Sequence, residues 1–241
     1  MPNHQYKLSG FRNADEWMRS TDRQRGGSGM IIAVDGSAAS GKGTLAKRLA
    51  RHFDLAHLDT GGLYRALALH LMRSGITAET ADEHNAAAQI AALDLGLINS
   101  LAIRDDSVAG MASVIAAMPT VRAGFLVLQR DFASHPPTGR GAVLDGRDIG
   151  SVVLPDAPFK FFVDADIKVR AERRTNELQA AGQSVMFRNV LADMQARDAR
   201  DRERSIAPLR VIGDAKLINT SSLDADQVFA SALAHIDAAR T

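Results

Sequence analysis

Residues 36–44 read Gly-Ser-Ala-Ala-Ser-Gly-Lys-Gly-Thr, and their types and spacing suit the wrapping of a phosphate chain. Gly36 and Gly41 let the backbone take positive φ, so that the N–H groups of Ser37, Ala38, Ala39 and Ser40 turn inward onto phosphate oxygens. Lys42 reaches the β- and γ-phosphates, and the hydroxyl of Thr44, just past Gly43, falls near a Mg²⁺ ion travelling with them. A helix starting here adds its positive N-terminal end. With lysine, both glycines and the flanking elements all present, the segment is read as a nucleoside triphosphate site rather than a ligand-free glycine turn.

Three further constellations could serve a second substrate. Asp145-Gly146-Arg147-Asp148 follows a short apolar run. Asp145 has the place of an acid that holds Mg²⁺ through water, and Arg147 and Asp148 project at the carboxyl edge of a strand, where open α/β sheets bind ligands. A simple Asp-Gly β-turn is the plain alternative. On a helix, Arg197, Arg200, Asp201 and Arg204 share one face. Such a row can clamp phosphates and neutralise charge during their transfer, although a solvated helix with internal Arg–Asp pairs gives the same pattern. Thr60 offers a hydroxyl at the turn Asp59-Thr60-Gly61-Gly62, with Arg65 about one helical turn on; a surface arginine after a turn is the alternative. Arg170, Arg173 and Arg174 cluster earlier, and residues 166–206 suit a lid that excludes water.

These residues need elements to position them. Met30–Asp35, Gly141–Asp145, Phe159–Asp164 and Ala215–Thr220 are short apolar runs that predict buried strands of a parallel sheet. Helical spacing is predicted for Thr44–Arg51, Leu63–Arg73, Asn85–Leu95, Val108–Ala117, Val121–Ala133 and Ala225–Ala239. Strands alternating with helices make the expected class α/β, a parallel sheet flanked by helices.

The 241 residues, 46% hydrophobic and 24% charged, suffice for one large domain and exclude wholesale disorder. Residues 1–29, ending Arg-Gly-Gly-Ser-Gly, read as a disordered tail, leaving 30–241 as the folded unit. With no cysteine there is no disulfide, thiolate zinc site or cysteine nucleophile. Net charge +1, with arginines interleaved among acids, argues against nucleic-acid binding. No long apolar stretch or secretory core is visible, so no membrane association and a cytoplasmic location are expected.

Taken together, Gly36–Thr44, Asp59–Arg65, Asp145–Asp148 and Arg197–Leu209 resemble the bacterial cytidylate kinases, from about Met30 to the C-terminus. The Gly-Lys-Gly-Thr ending is similar to the loop of nucleoside monophosphate kinases, and Met118–Arg122 and Pro155–Ala157 fit too. The resemblance implies a P-loop kinase fold with a nucleoside-monophosphate-binding insert at about 60–122 and a short lid at about 166–206. It implies transfer from ATP to CMP or dCMP, with Mg²⁺ required, by a monomer. It places Thr60, Arg122, Asp148 and Arg204 on cytosine, Asp201 with Asp148 on the sugar, and Arg65, Arg147 and Arg197 on the CMP phosphate. Lys42, Arg147, Arg197 and Arg204 become the catalytic cations, Arg170 and Arg174 further ATP contacts, and Thr44 and Asp145 the metal side. This chain departs from the family pattern at Ser37, where proline is common, and at Thr60, where serine is common. The stretch from Arg65 to Ile103 is shorter than the insert of long members. A P-loop kinase for another small acceptor, such as shikimate, and a nucleotide-binding module without turnover are the rival readings.

Overall fold

The computed structural model describes residues 29–137 and 140–240, so the expected tail lies outside the described residues except for Gly29. In chain order the elements are β1 (Met30–Gly36), α1 (Lys42–Phe53), β2 (Ala56–Asp59), α2 (Thr60–Arg73), α3 (Glu83–Ala88), α4 (Asp106–Ile115), α5 (Pro119–Ser134), β3 (Gly141–Gly146), β4 (Phe159–Asp164), α6 (Ile167–Ala180), α7 (Phe187–Glu203), β5 (Lys216–Asn219) and α8 (Ala225–Ala238). The strands form one five-stranded parallel sheet in the order β2-β3-β1-β4-β5, flanked by helices. β1 runs parallel to β4, with Gly36 opposite Val163, and β4 parallel to β5, with Asp164 opposite Asn219. Ile32, Ala33 and Val34 are fully buried, which is why β1 reads as an unbroken apolar run rather than an alternating one.

The described chain divides into two compact units. One holds Phe53–Leu144 with Met30. Its core is Leu63, Leu67 and Leu71 of α2, Val108, Met111 and Ile115 of α4, and Val121, Phe125, Leu128 and Phe132 of α5, all buried and at helical spacing. Tyr64 meets the Phe125 ring edge-on at 4.8 Å. The helix expected over Asn85–Leu95 is a correction: α3 stops at Ala88, and two 3-10 turns, Leu95–Asn99 and Leu101–Arg104, follow. Asp94 is extended, and its side chain accepts the Gly96 N–H at 2.8 Å. It thereby starts a new turn where the helix would have continued. Residues 60–122 contain no strand.

The other unit holds Ile31–His52 with Asp145–Thr241. Here α8 braces α1. Arg48 lies 4.6 Å from the Phe229 ring centre and donates to Asp226 at 2.7 Å, and His52 meets the same ring edge-on. α8 opens with a capping box. Asp224 accepts the N–H groups of Asp226 (2.8 Å) and Gln227 (2.9 Å), and Gln227 Oε1 accepts the Asp224 N–H (3.0 Å). Consecutive helices α6 and α7 pack on each other through Ala171, Leu178, Val190 and Met194, with Ala38 and Ala39 set against that cluster.

Replacing the α8 cap, Asp224→Ala, is expected to cost about 1 kcal/mol. Scanning calorimetry should then show the midpoint lowered by about 2–4 °C.

Candidate active site

The turn at residues 36–44 is shaped by its neighbours. At Gly36, with φ +154°, a Cβ would come 1.9 Å from the Val163 carbonyl oxygen, so only glycine fits. Ala39 and Gly41 also take positive φ, +55° and +91°. Ser37 is fully buried and its hydroxyl donates to Asp164 Oδ1 at 2.6 Å. Thr220 Oγ1 donates to the Ser40 carbonyl at 2.8 Å. Lys42 Nζ crosses the turn to the Ser37 carbonyl at 3.3 Å, and α1 begins as Leu45 N–H bonds the Gly41 carbonyl. The loop is thus held by side chains.

Arg170 is the chief of these supports, although the family resemblance implied an ATP contact for it. It is 2% exposed. Its Nε donates to the Ala165 carbonyl (2.9 Å), Nη1 to the Ala38 carbonyl (3.3 Å) and Nη2 to Asp198 (2.6 Å). Asp164 Oδ1 lies 3.6 Å from its Nε. Arg173 holds Thr220 through both the hydroxyl and the carbonyl, while Arg174 faces Glu177 at 3.4 Å.

The same unit gathers the acid–arginine motifs. Asp145 is buried, and its Oδ2 sits 3.6 Å from where a Gly43 Cβ would be. Arg147 Nε donates to Asp201 Oδ2 at 2.9 Å. Burial opposes the Arg147 charge, but the Asp201 carboxylate outweighs it and raises its pKa. Burial likewise works to raise the Asp201 pKa, and the positive charges of Arg147, Arg197 and Arg204 prevail and hold it below the ordinary value. Arg204 Nη2 lies 3.6 Å from Asp148 Oδ1.

Two details depart from the helical row expected at 197–204. α7 ends at Glu203, and Arg204 is extended, with ψ 137°; its Nε is aimed by the Ala207 carbonyl at 2.7 Å. Ala207 pays for that with φ +50° just before Pro208. Arg200 is exposed, because the buried positions of α7 are Val190, Met194, Asp198 and Asp201.

In the other unit, Thr60 is buried at the first turn of α2. Asp59 caps that helix through the Gly62 N–H (2.9 Å) and pairs with Arg65 Nη2 at 2.6 Å. Buried Arg122 donates to the Ala116 carbonyl at 3.2 Å, and its guanidinium stands 5.9 Å from the Tyr64 ring centre.

Sequence reading missed the partners: Asp35, Asp164, Asp198 and Thr220. Asp35 is buried, and its two carboxylate oxygens accept the N–H groups of Ile149 (2.7 Å) and Gly150 (2.8 Å). The signal available was that apolar strands close on an acid, at Asp35, Asp145 and Asp164. Among the described residues no group of three His, Cys, Asp or Glu side chains could hold a metal. The Thr44 hydroxyl and the Asp145 carboxylate, flanking Gly43, are a hard-oxygen pair of the kind Mg²⁺ takes alongside waters and phosphates.

Comparison with known proteins places these features in a family. The cytidylate kinase family model matches residues 32–238. The cytidylate kinase of Rhodospirillum rubrum is 50% identical over 208 residues, 85% of this chain and 95% of that protein. That of Paramagnetospirillum magneticum is 50% identical over 211 residues, 87% of this chain and 99% of that protein. Among solved structures, an uncharacterized protein from Eubacterium ventriosum shares the fold with a TM-score of 0.50 at 18% identity, covering 86% of this chain and 98% of that one.

Two outcomes follow from the supports. Arg170→Met strands Asp198 without its buried partner and should destabilise the protein by about 3–5 kcal/mol, with Arg170→Met/Asp198→Leu recovering much of the loss in urea titrations. Burial raises the Asp35 pKa from 3.8 to about 6 against the pull of its two backbone bonds. The folded chain therefore keeps a proton that the unfolded chain has shed. Asp35's contribution to stability is full below about pH 4 and falls by about 3 kcal/mol as pH rises to about 6. The stability of the natural protein relative to Asp35→Asn should decline over that window in denaturation curves.

Proposed function

Because the chain belongs to the cytidylate kinase family, and is by that membership a nucleoside monophosphate kinase using ATP, we propose that it phosphorylates CMP and dCMP to CDP and dCDP by direct in-line transfer. The observation that carries this reading is the presence, in one compact unit, of a side-chain-braced phosphate loop and a separate cluster of arginines around Asp201. A module that only binds ATP has no use for the second cluster.

The chemistry asks little of a base, since the CMP phosphate is already an anionic nucleophile. What remains is alignment and stabilisation of charge. In this reading the inward N–H groups of Gly36–Thr44 and Lys42 take the β- and γ-phosphates. Arg65, Arg147 and Arg197 hold the acceptor phosphate, with Arg147, Arg197 and Arg204 also meeting charge that develops on the moving phosphoryl group. Thr60, Arg122, Asp148 and Arg204 read cytosine, and Asp148 and Asp201 take the sugar. Arg174 contacts ATP from α6, whereas Arg170 serves it by fixing Ala38. Thr44, and Asp145 through water, are the residues to hold Mg²⁺, which when bound neutralises phosphate charge. Residues 166–206, built as α6 and α7, act as the lid. Among the described residues no single helix is long and apolar enough to cross a membrane, and the reading includes a cytoplasmic monomer, for which light scattering should return 25.8 kDa.

The test is ADP release with ATP and Mg²⁺ against CMP, dCMP, UMP, AMP, GMP and shikimate. CMP and dCMP should be preferred; preference for another acceptor, or silence across the panel, overturns the assignment. Lys42→Ala should keep the native circular dichroism while lowering turnover by about three orders of magnitude.

A further inference from the structure

The two residues at the end of β1 face in two functional directions. Gly36 opens the phosphate loop, and Asp35, the residue before it, sends its carboxylate to the backbone of Ile149 and Gly150. Those N–H groups follow directly on Arg147 and Asp148, and they begin the single π-helical turn Ile149–Val153. Asp148, at the head of that turn, provides no side-chain cap. The first N–H groups of a helical turn have no carbonyl partner within the turn, and Asp35 supplies both acceptors from a strand 114 residues away.

We infer that Asp35 is a positioning residue of the acceptor site: its two hydrogen bonds fix the peptides after Arg147-Asp148 and so aim both side chains relative to the phosphate loop. The inference rests on the assignment of Arg147 and Asp148 to the acceptor. Three features support it. Both carboxylate oxygens are used, at 2.7 and 2.8 Å, and an ionised carboxylate, which only accepts, suits two such donors. Burial makes that ionisation costly, with the pKa pushed up to about 6. An apolar side chain there would take away both acceptors of these buried N–H groups, so the cost is borne where it holds the two peptides. Finally, Arg147 Nε meets Asp201 at 2.9 Å, an alignment that a shift of the following peptides disturbs, since the two are joined by three backbone bonds per residue.

Gly150 gives independent access to the same contact. A Cβ there would lie 3.4 Å from Asp35 Oδ2, 3.3 Å from Lys160 Cδ and 3.0 Å from Ile212 Cδ1. Gly150→Ala therefore crowds this same contact, its Cβ meeting Asp35 Oδ2 and the side-chain ends of Lys160 and Ile212, while the Asp35 side chain and the phosphate loop keep their own residues.

The experiment measures KM for CMP and for ATP, with kcat, in the natural protein, Asp35→Asn and Gly150→Ala, after thermal melts show the folded fraction. Both variants should raise KM for CMP about tenfold or more, leaving KM for ATP within about twofold. Equal changes in the two constants, or none, overturn the inference. If Asp35→Asn does not fold, Gly150→Ala decides alone, and an unchanged KM for CMP counts against the idea. Should the natural protein prefer another acceptor, the cytidylate assignment fails, and the same split measured on that acceptor still decides the role of Asp35. Activity with no acceptor at all would remove both.

Discussion

The burial of one guanidinium organises the unit that carries the phosphate loop. Arg170 is nearly sealed from solvent, and its fork of donors joins three segments that are far apart in sequence: the phosphate loop at Ala38, the end of β4 at Ala165 and Asp164, and α7 at Asp198. A planar cation with fixed donor directions can hold three acceptors in one arrangement, whereas a lysine at the same place offers a point charge without that geometry. Its cost of desolvation is large. That cost is offset only because Asp198 and Asp164 lie beside it and each donor finds an oxygen. The contact of Ala38 and Ala39 with the apolar cluster of α6 and α7 depends on the same anchor, so the loop and the two helices are held by one polar and one apolar joint.

The acids that close the strands divide the remaining labour. Asp35, Asp59, Asp145 and Asp164 each stand at the end of a strand, where a side chain is well placed to serve the loops that follow. Asp164 holds Ser37 and Arg170; Asp35 holds the turn after Asp148; Asp59 caps α2 and pairs with Arg65. Only Asp145 faces the loop at Gly43. At Ser37 the hydroxyl bond to Asp164 replaces the rigidity that a proline would have given, so the shape of this loop rests on a side-chain contact.

Much of this was legible because it is local. A glycine turn with its lysine is contiguous, and the apolar runs of β1, β3 and β4 announce themselves within six or seven residues. The strand ends were visible too, but their partners were not: Arg170 and Asp198, or Asp35 and Gly150, meet only after the chain has folded. Helical periodicity extrapolated too far in two places. It carried Arg204 onto a helix that stops at Glu203, and it ran Asn85–Leu95 through Asp94, whose side chain caps a new turn. In both cases a short-range hydrogen bond defeated a pattern defined by spacing alone.

The carboxylates set among the arginines have a consequence for the crowded ionic world of the cell. Arg147 already has Asp201 at 2.9 Å, and Arg204 has Asp148 at 3.6 Å. A small inorganic anion arriving there must compete with a carboxylate that is tethered and therefore always present at high local concentration. What it gains is little more than the carboxylate already gives. A larger molecule that brings sugar and base contacts along with its phosphate has something further to offer. Arginines already paired with tethered acids thus leave a free inorganic anion little to gain at this cluster.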